Sequence, residues 1–185
     1  MVPAYMLSLL GRQQLMLKER FLQRYPHPWL VWEPGDWRPP AAAEIDGGKT
    51  QLPNAHDELR PRGSDALCFE LFVRAKAVTC LKLGRGVECD VVINDMTVSR
   101  EHLLLYFDEK WAVENIAPEG TVSLLRTSPL PPKARVALPP DAQLTVGGVH
   151  LSLYDSKAFF ERVAVQAASS AATPFPVAPP KGKVK

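Results

Sequence analysis

Short apolar or alternating runs, separated by turn-forming residues such as Asp, Gly and Pro, recur roughly every ten residues between positions 66 and 155. Nine runs have this character, at 67–73, 78–83, 91–93, 102–107, 111–116, 122–125, 135–138, 143–146 and 149–154. Many short strands with regular turn signals are typical of a β-sandwich. Gly147 and Gly148, between the last two runs, fit a two-residue hairpin turn. The pattern therefore predicts an all-β domain over residues 66–155.

Helical periodicity is found on either side of this region. Apolar residues at positions 7, 10, 17 and 21 fall on one face of a predicted helix over roughly residues 9–25, for which Ser8 is a suitable N-cap. Asp155 or Ser156 can cap a second, short helix over residues 156–168. We expect the first helix to dock on its own domain or on a partner.

Prolines and tryptophans dominate the segment that follows the first helix. Three of the four tryptophans fall within nine residues, at positions 29, 32 and 37. Neighbouring prolines disfavour a helix, and clustered tryptophans usually anchor an extended segment in a groove. The segment either pins the N-terminal helix to the body of the protein or serves as a docking peptide for another protein. Composition thus predicts three segments outside the sandwich and the short helix: a helix with a Trp/Pro-rich segment at 1–40, a flexible linker at 41–65 and a disordered Pro/Lys-rich tail at 169–185.

Charge and cysteine content narrow the functional classes. Basic and acidic residues number eight each in 1–65, nine and eleven in 66–155, and five and one in 156–185, so the excess basicity lies in the tail. The chain has no stripe of basic residues of the kind that indicates a nucleic-acid-binding surface. The three cysteines lack Cys-x-x-Cys spacing, which disfavours a disulfide scaffold or a zinc site. The apolar start of the chain supports neither a signal peptide nor a membrane span, so we expect a cytoplasmic protein without metal or other cofactor.

Two loops of the strand-rich region carry groups suited to binding an anion. Arg85 lies between two glycines, which allow a tight turn close to a ligand. Fourteen residues later, Ser99 and Arg100 add a hydroxyl donor and a second cation. A guanidinium can donate two parallel hydrogen bonds to two phosphate oxygens, so the residue types favour a phosphate. His102 can orient the second loop by bonding to its backbone.

These residues, at this spacing, resemble the forkhead-associated (FHA) domain family over about residues 66–155. The resemblance rests on three blocks, which are Leu83-Gly84-Arg85, Ser99-Arg100-Glu101-His102, and Trp111-Ala112-Val113-Glu114-Asn115 leading to Gly120-Thr121. It implies an FHA-like β-sandwich of about 10–11 short strands, with the predicted helices at either end.

The resemblance also implies roles for individual residues. In that family, the arginine matching Arg85 and the serine matching Ser99 hold the phosphate of a phosphothreonine peptide, and the position matching Arg100 adds contacts. The residues matching Gly84 and His102 are structural. The resemblance implies that the chain is not an enzyme. It implies a signalling adaptor that reads Ser/Thr kinase output by binding a phosphothreonine-containing protein, which is a kinase or one of its substrates.

The third loop departs from the family pattern. Family members usually carry Ser/Thr-Asn-Gly-Thr there, and the asparagine clamps the peptide backbone. This chain has Glu119 before Gly120, in a run that is one residue shorter. A carboxylate cannot donate the amide hydrogen bond and repels a phosphate. We expect Glu119 and Gly120 to contact the peptide, which is then held differently, bound more weakly or selected for a basic flanking residue. Alternatively, Glu119 indicates a site that has changed toward phosphate-independent protein binding.

Two other hypotheses stay open on the sequence. The chain could be a phosphate-independent scaffold or assembly subunit that binds partners through the Trp-rich segment. Alternatively, phosphorylated Thr50 in the predicted linker could occupy the site of its own or a neighbouring molecule, although Pro53 stands at the third position after it. A catalytic site is not expected, because no nucleophile motif accompanies His102.

Overall fold

The computed structural model describes residues 2–14, 18–36, 65–72, 80–108, 110–117, 122–124 and 129–171. Within these ranges the chain forms eleven strands and three helices. The strands are β1 (Ala4–Met6), β2 (Trp29–Trp32), β3 (Leu67–Glu70), β4 (Cys80–Gly84), β5 (Val91–Val92), β6 (Leu103–Asp108), β7 (Lys110–Asn115), β8 (Val122–Leu124), β9 (Arg135–Ala137), β10 (Gln143–Val146) and β11 (Val149–Tyr154). The helices are α1 (Leu7–Gln14), α2 (Lys18–Arg24) and α3 (Ser156–Ala171).

Two sheets pack face to face and enclose the main core. The first sheet has the strand order β1-β3-β2-β11-β10-β8, and the second has the order β5-β4-β6-β7-β9. Alternate residues of the strands face inward, as half-buried strands require. The inward side chains include Leu83, Leu103 and Val113 from the second sheet and Phe69 and Leu151 from the first. The predicted all-β sandwich is confirmed, and each of the nine predicted runs contains a strand.

Two strands come from outside the predicted range 66–155. Strand β2 lies in the middle of the first sheet, where Trp32 pairs with Leu151 on one side and with Leu67 on the other. Strand β1 extends the same sheet beyond β3. The Trp-rich segment is therefore an inner strand of the sandwich. All four residues of β2 are buried, so this part of the segment cannot be a docking peptide.

The helices cover the outer face of the first sheet and explain why β2 is buried on both sides. Trp29 faces the helices and stacks on Phe159 of α3, with the ring centroids 4.2 Å apart. Phe21 of α2 and Leu10 of α1 join Trp29 and Phe159 in a second buried cluster, which lies between the first sheet and the helices. Gly11 leaves room for α3, because a Cβ at that position would lie 3.3 Å from the Cβ of Ala167.

Helix ends differ in detail from the prediction. The predicted N-terminal helix corresponds to α1 and α2, and Ser8 is not its cap. Instead, the Asp65 carboxylate accepts the Ser8 N–H at 2.9 Å and also the Ser8 hydroxyl. Of the two residues predicted to cap α3, Asp155 does so, because its Oδ1 accepts the Ala158 N–H at 2.7 Å. Helix α3 continues to Ala171, three residues beyond the predicted end.

Several predicted features lie outside the described residues. These are Trp37, Thr50, Glu119, Gly120, most of the predicted linker and the tail from residue 172. None of the helices that the structure does describe is long and apolar enough to cross a membrane.

Candidate functional site

The two loops with the predicted anion-binding residues lie side by side at one end of the sandwich. The Arg85 N–H donates to the Ser99 carbonyl at 2.9 Å, and the Gly86 N–H donates to the Arg100 carbonyl at 2.9 Å. Arg85 follows directly after β4, and Ser99 and Arg100 belong to the loop between β5 and β6. Arg85 and Ser99 are half-buried, whereas Arg100 is exposed. The fold thus brings Arg85 beside Ser99 and Arg100, which follow it fourteen and fifteen positions later in the sequence.

Gly84 allows this close approach. A Cβ at Gly84 would lie 2.1 Å from the Arg100 carbonyl oxygen and 2.8 Å from its carbon. Such distances are far below van der Waals contact, and the atoms involved are backbone, which cannot rotate away as a side chain can. Any residue other than glycine at this position would push the two loops apart.

His102 joins the second loop to the third. Its ring is completely buried, and its Nδ1 accepts the Ser99 N–H at 2.9 Å. Its own N–H donates to the Leu83 carbonyl at 2.9 Å, and its carbonyl accepts the N–H groups of Ile116 and Ala117, both at 3.1 Å. The expected orienting bond to the loop backbone is therefore present. Because Nδ1 accepts, the proton of a neutral ring lies on Nε2.

Asn115 supports the start of the third loop, a role that its place in the sequence does not predict. It is fully buried, its Oδ1 accepts the Ala117 N–H at 3.1 Å, and its Nδ2 lies 3.4 Å from the Leu130 carbonyl. In the sequence Asn115 is visible only as a polar residue within the strand-like run 111–116. Glu119 and Gly120, predicted in the same loop, lie outside the described residues.

The Ser99 loop is also braced from the first sheet. The Thr97 side chain accepts the Gly148 N–H at 2.7 Å and donates to the buried Asp95 carboxylate. Gly147 has a positive φ of 60°, and a Cβ there would lie 2.3 Å from the Thr97 carbonyl oxygen. The predicted two-residue turn is confirmed, and it packs directly beneath the loop with Ser99.

Charged side chains around the loops give the site its electrostatic character. Lys82 pairs with Glu101 at 2.5 Å, and this hydrogen bond raises the pKa of Lys82. The Glu88 carboxylate lies against Gly86, since a Cβ on that glycine would be 2.3 Å from Oε1. The two arginines and the Ser99 hydroxyl supply the donors that a phosphate needs. The residues that the structure describes include no group of three or more His, Cys, Asp or Glu side chains able to hold a metal ion.

Residues 81–147, which include both loops and the described part of the third, match the family model of the FHA domain. Over these residues the chain is similar to the FHA domain family. The match begins at β4, so the FHA model does not cover β1, β2 and β3. No curated protein matches the chain.

Solved FHA structures resemble the chain at low identity. The FHA domain of the CT664 protein from Chlamydia trachomatis has 14% identity and a TM-score of 0.43, covering 69% of this chain and 97% of that one. The N-terminal FHA domain of S. cerevisiae Rad53p, solved with a phosphothreonine peptide, has 16% identity and a TM-score of 0.42, covering 51% and 89%. An FHA domain from Arabidopsis thaliana has 22% identity and a TM-score of 0.41, covering 51% and 77%.

Proposed function

We propose that the FHA-like domain of this chain binds protein segments that contain phosphothreonine. The observation that supports this most directly is the pair of backbone hydrogen bonds, from Arg85 to Ser99 and from Gly86 to Arg100, each 2.9 Å long. They fix two loops, each of which carries one arginine, beside each other on a rigid sheet. In this proposal Arg85 and Ser99 hold the phosphate, Arg100 adds contacts, and Gly84 and His102 maintain the loop geometry.

The chemistry of the ligand follows from the donors. A phosphothreonine carries close to two negative charges at pH 7 and three acceptor oxygens, which suit two guanidinium groups and a hydroxyl. Binding should therefore weaken as pH falls below about 6, where the phosphate gains a proton, and as salt rises. The threonine methyl adds only about 1 kcal/mol of burial, so discrimination against phosphoserine must come mainly from the shape of its pocket.

The decisive experiment titrates the full chain with phosphothreonine peptides and with their unphosphorylated counterparts. Charge-assisted hydrogen bonds contribute about 1.5–3 kcal/mol each, so Arg85→Ala should lower the affinity at least about tenfold. Arg12→Ala is the matched control, because Arg12 is an exposed arginine on α1 and its loss changes the net charge equally. Equal affinity for the phosphorylated and plain peptides would refute the proposal.

The biological setting is part of the proposal. We infer an adaptor that is not itself an enzyme, that works in the cytoplasm and that binds a Ser/Thr kinase or one of its phosphorylated substrates. The sequence supports a preference for a basic residue near the phosphothreonine, because Glu119 takes the place of the usual asparagine. An oriented phosphopeptide library, screened against the wild type and Glu119→Asn, tests this preference. If both proteins select the same flanking residues, Glu119 is not a determinant of specificity.

The scaffold hypothesis has lost its main support. It relied on the Trp-rich segment as a partner-binding surface, yet Trp29 is fully buried and Trp32 is only 3% exposed. Both side chains are part of the protein's own cores.

A further inference from the structure

One carbonyl oxygen on the second loop is held from several sides by the first loop. The Arg100 carbonyl accepts the Gly86 N–H at 2.9 Å and the Cys89 thiol at 3.1 Å. Gly84 provides the space that this oxygen occupies. Three residues within one six-residue stretch therefore determine where the backbone of Arg100 lies.

We propose that Cys89 is a positioning residue of the phosphopeptide site. Its thiol fixes the Arg100 carbonyl and thereby sets Ser99 and Arg100 relative to Arg85. This inference rests on the proposed function. It gives Cys89 a role beyond that of a small hydrophobic residue filling space in the core.

The surroundings of Cys89 suit a permanent hydrogen-bond donor. The residue is only 2% exposed, and its backbone N–H donates to the Gly86 carbonyl at 3.0 Å, which anchors it to the same turn. Burial raises the pKa of the thiol from 9.0 to about 11, and the nearby Glu88 and Glu101 carboxylates add to this effect. The sulfur therefore keeps its proton at neutral pH and can donate it to the carbonyl.

A donor and a space-filling hydrophobic residue respond differently to substitution. Serine keeps a donor of similar size but is less favourable in an apolar site, whereas valine is hydrophobic and cannot donate. If Cys89 only fills space, valine should serve as well as cysteine and serine should be worse. If it positions Arg100, serine should preserve phosphopeptide binding, and alanine and valine should weaken it.

The test compares the full chain with its Cys89→Ser, Cys89→Ala and Cys89→Val variants. One readout is the affinity for a phosphothreonine peptide that binds the wild type. The second is the carbonyl carbon chemical shift of Arg100 and the hydrogen exchange of the Gly86 amide in the free proteins. Cys68→Ala is the matched control, because Cys68 is buried in the second cluster, between the first sheet and the helices, and not at the loops.

Weak sulfur hydrogen bonds correspond to about a two- to fivefold change in affinity. We expect that loss for alanine and valine, with a shifted Arg100 carbonyl resonance, and affinity within about twofold of the wild type for serine and for Cys68→Ala. Unchanged affinity and an unchanged resonance in the alanine and valine variants would overturn the inference while leaving the proposed function intact. A wild type that binds no phosphopeptide would overturn both.

Discussion

Replacing Gly84 with alanine should lower the free energy of unfolding by about 2–4 kcal/mol, because the new methyl group has no room. The Cβ would lie 2.1 Å from the Arg100 carbonyl oxygen and 3.0 Å from the Glu101 Cα. A normal carbon–oxygen contact needs roughly 1 Å more than the shorter of these distances. The two loops would have to separate by that amount at the point where they are joined.

Separating the loops would break the hydrogen bonds that join them. The Arg100 carbonyl is held by the Gly86 N–H and the Cys89 thiol, and the adjacent Arg85 N–H bonds to Ser99. Losing one backbone hydrogen bond costs about 0.5–1.5 kcal/mol, and overpacking a rigid site costs about 1–3 kcal/mol. Because these groups also position the proposed phosphate donors, Gly84→Ala should weaken phosphopeptide binding as well.

Urea unfolding of the full chain, followed by tryptophan fluorescence, measures the change. Gly35→Ala is the control, because nothing lies within 4 Å of a Cβ at Gly35. That variant should stay within about 0.5 kcal/mol of the wild type. Equal unfolding free energies for the two variants would show that the loops are not in rigid contact. In that case the loops could not hold Arg85, Ser99 and Arg100 in fixed positions.

Three further predictions concern folding and stability. A fragment of residues 60–160 lacks β2, so its NMR spectrum should not show the dispersed amide signals of the full chain. Dispersed amide signals from the fragment would show that β2 is dispensable for folding. Asp65→Ala should lower the free energy of unfolding by about 1–2 kcal/mol, because it removes the cap of α1. Asp36→Ala is the control, because Asp36 is exposed, and equal urea midpoints for the two variants would contradict the prediction. The raised pKa of Cys89 stabilises the fold below pH 9, and this contribution is lost as the pH rises to about 11. The free energy of unfolding should therefore fall over this interval, less steeply in Cys89→Ala, and identical slopes in pH-dependent unfolding would refute the assignment.

The strands were predictable where burial is one-sided or where a short apolar run stands between turns. In β7 and β11 the side chains that face the core recur at every second position, and this period is visible in the sequence. Strand β1 could not be found in this way, because its three residues are all half-buried and continue directly into α1.

Of the proposed site, only the residues proposed to contact the ligand could be predicted from the sequence. Arg85, Ser99 and Arg100 were identified by residue type and spacing. Asn115 and Cys89 support the same loops through bonds to backbone carbonyls and amides, and no pattern along the sequence reveals which carbonyl a buried side chain will meet. The positioning roles needed the three-dimensional contacts.

Strand β2 changes how the N-terminal part of the chain is understood. A strand covered on both faces has no polar side, so Trp29 and Trp32 gave no alternating pattern and suggested a separate anchoring segment. In the structure these residues pair with β3 and β11 and link the sandwich core to the helix layer. Substitutions in β2 should therefore act first on stability, because they remove buried surface from both cores. An effect on partner binding would follow from the loss of the fold and would not by itself identify a binding surface.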